Sequence, residues 1–64
     1  MIVNGQTIKL DKTRPLSEVL ALCGYDQALV AVLVNDQVAP RNQFALLAIQ
    51  DSDDLEVVAF VGGG

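Results

Sequence analysis

A chain of 64 residues with one cysteine and no histidine has nothing to staple it. Cys23 cannot close an intramolecular disulfide, and a structural zinc site needs more Cys or His ligands than this chain supplies. A domain this small buries only about 60% of the surface its unfolded chain exposes, so conformational entropy nearly offsets what burial contributes. The fold must therefore stand on one hydrophobic core made from short elements. At 52% hydrophobic the chain has the material for that core and is too apolar for a disordered segment. Little room is left for a deep active site, and the missing histidine removes thiol-imidazole catalysis.

Four basic residues against eight acidic ones give a net charge of −4. That is the wrong sign for binding a phosphate backbone, so nucleic acid is not an expected partner. The longest apolar run, Ala28 to Val34, falls well short of the roughly 20 residues that cross a bilayer. No basic stretch leads into an apolar one at the start, and the expectation is a soluble, cytoplasmic, unprocessed chain without a membrane partner.

Along the chain, Met1-Ile2-Val3 and Gln6 to Leu10 are β-prone, and Asn4-Gly5 between them suits a two-residue type I′ hairpin turn. The register places Met1, Val3, Ile8 and Leu10 on the core side, with Ile2, Thr7 and Lys9 opposite. After Pro15, the residues Leu16, Val19, Leu20 and Cys23 recur at helical spacing, and Gly24 stands where a left-handed residue stops a helix. Ala28 to Val34 reads as a strand buried on one side and partly covered on the other. Asn35-Asp36-Gln37 turns the chain, Val38-Ala39 makes a short edge strand ended by Pro40, and Asn42 to Ile49 makes a short helix or 3-10 turn.

Asp51-Ser52-Asp53-Asp54 is a polar turn before a last strand, Leu55 to Val61. On that strand Leu55, Val57 and Ala59 share one face, and Glu56, Val58 and Phe60 share the other. Placing Glu56 in water places Val58 and Phe60 there too. The element order is α+β: a mixed sheet of four to five strands, one main helix, and a short second helix or 3-10 turn. It resembles the ubiquitin-like β-grasp, in which the last strand lies between the first and third and runs parallel to the first. Residues 1–61 form that domain, and 62–64 form a flexible glycine tail.

Gly62-Gly63-Gly64 is the feature with chemical content. Without Cβ atoms, such a tail can enter a narrow cleft that closes on its backbone, and four residues reach about 13 Å when extended. A Gly64 carboxylate is an unhindered acyl group that a nucleotidyltransferase could activate, whereas the chain supplies no base or metal of its own. Val58 and Phe60 make a candidate docking patch on the strand leading to the tail, continued by Val61 and Gly62. Asp51, Asp53 and Asp54 read as a solvated turn and not a calcium loop, because Leu55 stands where a third oxygen ligand belongs. Cys23 reads as a small core hydrophobe, and Lys9, Lys12 and Arg14 as a solubilising cluster.

The run from Leu33 through Asn35, Pro40 and Arg41 to Phe44, the Asp51-Ser52-Asp53-Asp54 turn and the terminal glycines together resemble the ThiS family of sulfur carriers, over essentially the whole chain. Asn35, Pro40, Arg41 and Gly63-Gly64 match the family pattern. Ala39 stands for its valine, Phe44 for its common tryptophan, and Ser52 for a turn glycine of positive φ. The resemblance implies a carrier and not an enzyme, with no catalytic residue and no bound cofactor or metal. In that picture the Gly64 carboxylate, presented with Gly63, is adenylated by an E1-like, ThiF-like adenylyltransferase that uses ATP. A sulfur-donating enzyme then supplies the atom for a thiocarboxylate, and a ThiG-like thiazole synthase receives it. A molybdopterin-synthase small-subunit type of carrier and a plain β-grasp interaction module remain the alternatives.

Overall fold

The computed structural model describes residues 1–60. Its first strands, β1 (Ile2–Val3) and β2 (Gln6–Thr7), form an antiparallel hairpin in the expected register, with Val3 opposite Gln6. Asn4 and Gly5 take φ values of 51° and 80°, which a type I′ turn requires at both central positions. Regular pairing stops at Thr7 and not Leu10, yet Met1, Val3 and Leu10 are buried while Ile2, Thr7 and Lys9 are exposed.

A second, two-stranded sheet comes next, which the sequence pattern does not signal. In it β3 (Arg14–Pro15) pairs antiparallel with β6 (Ala48–Ile49). Pro15 then caps α1 (Leu16–Leu22) from an extended conformation, φ −65° and ψ 150°, one residue before the first helical turn. The helix is capped at Cys23 and the chain turns away at Gly24, whose φ is 84°. Leu16, Val19 and Leu20 are buried along the predicted stripe, and Cys23 is half-buried at its end.

The next strand begins at Val30 and not Ala28. The Asp26 side chain accepts the Ala28 N–H at 2.9 Å and caps a 3-10 turn over Gln27–Leu29, which takes those residues out of the strand. Strand β4 (Val30–Val34) buries Val30 and Val32, but Ala31 is exposed, so the outward face is less covered than the apolar run suggests. Asn35 and Asp36, both at positive φ, turn β4 into β5 (Gln37–Val38). Asn42 to Ile49 does not form one helix. A 3-10 turn over Arg41–Gln43 drops the buried Phe44 into the core, and Ala48–Ile49 extends as β6.

Strand β7 (Asp54–Ala59) lies in the middle of the main sheet, ordered β2-β1-β7-β4-β5, parallel to β1 and antiparallel to β4. This is the predicted β-grasp arrangement, a five-stranded mixed sheet with one helix and two 3-10 turns. The core runs from Leu16, Val19 and Leu20 of the helix to Val30, Val32 and Leu55 of the central strands. No helix among the described residues is long and apolar enough to cross a membrane.

Candidate functional site

The predicted alternation along β7 holds. Leu55 and Val57 are buried, while Glu56, Val58 and Phe60 face outward, with Val58 54% and Phe60 56% exposed. Ala59 is on the inward side but exposed. Cross-strand register enlarges the patch beyond the two residues named from sequence. Ala31 stands opposite Val58, and Leu33 stands between Glu56 on one side and Val38 on the other. Val38 is 74% exposed, and Leu29, whose carbonyl accepts the Phe60 N–H at 2.8 Å, is exposed as well. Apolar side chains thus share the outward face across three strands, Ala31 and Val58 near the end of β7 and Leu33 and Val38 level with Glu56. The missed members were readable in part: Ala31 and Leu33 alternate with Val30 and Val32, but only strand order brings Val38 to them.

Val61, Gly62, Gly63 and Gly64 lie outside the described residues. The geometry that bears on them is the end of β7, where the Phe60 to Leu29 bond is the last described rung.

The motif residues of the polar turn act as fasteners. Asn35 donates from Nδ2 to Asp53 Oδ1 at 3.0 Å, and its Oδ1 accepts the Asp54 N–H at 3.0 Å. This ties the β4–β5 turn to the start of β7. Asp53 also accepts the Gln50 N–H at 2.8 Å, closing a turn in which Ser52 needs no positive φ. Asp51 is an anchor and not merely solvated: one carboxylate oxygen takes the Met1 ammonium at 2.8 Å and the Leu10 N–H at 2.8 Å. Those donors, the ammonium foremost, hold its carboxyl below the usual carboxylate range. Arg14, placed in a solubilising cluster from sequence, bonds Asp11 and Glu18, while Arg41 reaches backbone carbonyls.

Among the described residues no group of three or more His, Cys, Asp or Glu side chains could hold a metal. Cys23 lines a cleft of about 280 Å³ together with Met1, Leu10, Val19 and Leu22. Burial pushes its thiol up, the reverse of what a thiolate nucleophile needs.

The ThiS family model matches this chain over residues 1–64. The chain belongs to the ThiS family. That family is one of small sulfur carrier proteins of thiamine biosynthesis. The sulfur carrier protein ThiS of Escherichia coli is 28% identical over 64 residues, covering 100% of this chain and 97% of that one. The crystal structure of a thiamine biosynthesis protein, ThiS, from Geobacter metallireducens superposes with a TM-score of 0.81 at 32% identity, covering 98% of this chain and 96% of the other. A thiazole synthase from Paramagnetospirillum magneticum is 34% identical over all 64 residues, but this ThiS-family chain spans only 20% of that protein's length.

Proposed function

We propose that this chain carries sulfur as a thiocarboxylate at Gly64. A Gly64 carboxylate oxygen attacks the α-phosphorus of ATP in an E1-like adenylyltransferase, releasing pyrophosphate and leaving an acyl-adenylate. A sulfide equivalent from a sulfur-donating enzyme then displaces AMP, and thiazole synthase takes the sulfur from the resulting thiocarboxylate. The observation that carries this reading is the family match across the whole chain, with Gly63 and Gly64 inside it. The likeness of the chain to part of a thiazole synthase supports that enzyme as the recipient.

The described residues support a division of labour. Val58 and Phe60, with Ala31 beside them and Val38 farther along the same face, form the docking strip, and Val61 and Gly62 continue the contact into the partner's cleft. Gly63 and Gly64 present the acyl group without side chains in the way. ATP binding and proton transfer belong to the adenylyltransferase.

The test mixes the full chain with an adenylyltransferase and ATP, follows pyrophosphate release, and weighs the intact protein after sulfur transfer. One oxygen replaced by sulfur, lost on deletion of Gly63 and Gly64 while thermal unfolding is unchanged, is the expected result. No pyrophosphate release from the full chain overturns the reading. Tight binding to a molybdopterin-synthase large subunit would reassign the recipient.

A further inference from the structure

Where β5 ends, the start of β4 is covered on that side by a side chain. Ala39 donates to the Val32 carbonyl at 2.9 Å, but the chain then turns at Pro40 into the 3-10 turn over Arg41–Gln43, which takes the Arg41 N–H, the next donor in register, out of the ladder. The next outward carbonyl, that of Val30, accepts instead from Arg41 Nη2 at 2.8 Å. Arg41 Nη1 donates to the Gln27 carbonyl. The guanidinium carbon sits 5.6 Å from the centroid of the buried Phe44 ring, which supports it from below. Arg41 therefore grips the backbone on both sides of Leu29, and the Leu29 carbonyl is the acceptor for Phe60 N–H.

We infer that Arg41 is a positioning residue for the carrier tail: by clamping Gln27 and Val30 it fixes the Leu29 carbonyl, and through it the direction in which the chain leaves β7 at Phe60. This rests on the carrier reading above. A tail launched from a fixed rung reaches a narrow cleft at a smaller entropic cost than one launched from a frayed strand end. The guanidinium suits the clamp because its two terminal nitrogens donate to two different carbonyls in one rigid plane, whereas an ammonium is a single flexible point.

The test compares Arg41→Ala, Arg41→Lys and, as a control that weakens the core without touching the clamp, Val19→Ala. Amide hydrogen exchange is read at Phe60 and at Val32, and adenylation kinetics are read by pyrophosphate release. In Arg41→Ala, Phe60 exchange rises about tenfold more than Val32 exchange, the loss expected when a charged donor leaves its acceptors. The KM for the carrier rises several-fold while kcat stays within about twofold, since the chemistry is untouched. Arg41→Lys falls between, and Val19→Ala speeds both amides alike at unchanged KM. Equal acceleration at Phe60 and Val32 in Arg41→Ala, or an unchanged KM, overturns the inference. If the unaltered chain is not adenylated at all, the carrier reading fails, and the exchange comparison still decides whether Arg41 fixes Phe60.

Discussion

The side chain of Asn4 does work that a turn residue is not usually asked to do. Strand β1 pairs with β7 only through Ile2 and Val3, so at Val57 the central strand has outrun its neighbour. Asn4 fills the next position with its amide: Oδ1 accepts the Val57 N–H at 2.7 Å, and Nδ2 donates to the Val57 carbonyl at 3.1 Å. Asn4→Gly keeps the positive φ and removes both bonds, leaving a partly buried N–H and C=O to water, and also removes an exposed bond from Nδ2 to the Tyr25 hydroxyl at 3.2 Å. At about 0.5 to 1.5 kcal/mol per hydrogen bond, the two bonds to Val57 alone are worth about 1 to 3 kcal/mol. Asn4→Ala adds about 1 kcal/mol more, because a Cβ disfavours the observed φ of 51°. A domain of this size has a total stability of only about 3 to 10 kcal/mol, so either change is a large fraction of it. Urea unfolding measures the loss, and each kcal/mol lowers the melting temperature by about 4 to 8 °C. If Asn4→Gly lies within about 0.5 kcal/mol of the unaltered chain, where neutral surface changes fall, the amide is not completing the sheet and the reasoning is wrong.

Two further outcomes follow from the packing and the charges. Leu20→Ala, at a side chain 1% exposed in the core, costs about 2 to 5 kcal/mol, whereas Leu22→Ala, two positions on but 63% exposed, stays within about 0.5 kcal/mol in the same unfolding assay. The folded Asp51 carboxyl titrates below its ordinary value of 3.8, so the stability it contributes is present above that value and is lost as the pH falls through the folded pKa. Asp51→Asn should therefore flatten the acid end of the stability-against-pH curve. A curve of unchanged shape would show that its bonds to Met1 and Leu10 do not bear on folding.

Where the chain's own periodicity sets an element, the sequence was a sufficient guide. Asn4-Gly5 allowed one hairpin geometry, the Leu16, Val19, Leu20 stripe allowed one buried helix face, and the placement of Glu56 in water carried Val58 and Phe60 with it. Each of those signals lies within a few residues of what it specifies. The pairing of Arg14–Pro15 with Ala48–Ile49 was not legible, because two-residue strands carry no period and their partner lies more than thirty residues away. The anchoring roles of Asp51 and Asp53 were missed for a similar reason, since an acidic turn looks solvated until the groups it bonds are folded against it.

The candidate site divides along the same line. Its chemical end, the run Gly62-Gly63-Gly64, is a property of residue type and order, and no folding was needed to read it. Its supporting end belongs to the tertiary structure. Val38 shares a sheet face with Val58 only because β7 lies beside β4 and β4 beside β5, and the Arg41 side chain reaches Gln27 and Val30 only because the 3-10 turn at Arg41–Gln43 leaves a carbonyl of β4 without its ladder donor. A side chain's period records which face it takes on its own element. Which backbone groups remain for it to satisfy is decided when distant strands come together, since only then is each donor or acceptor either paired or left open.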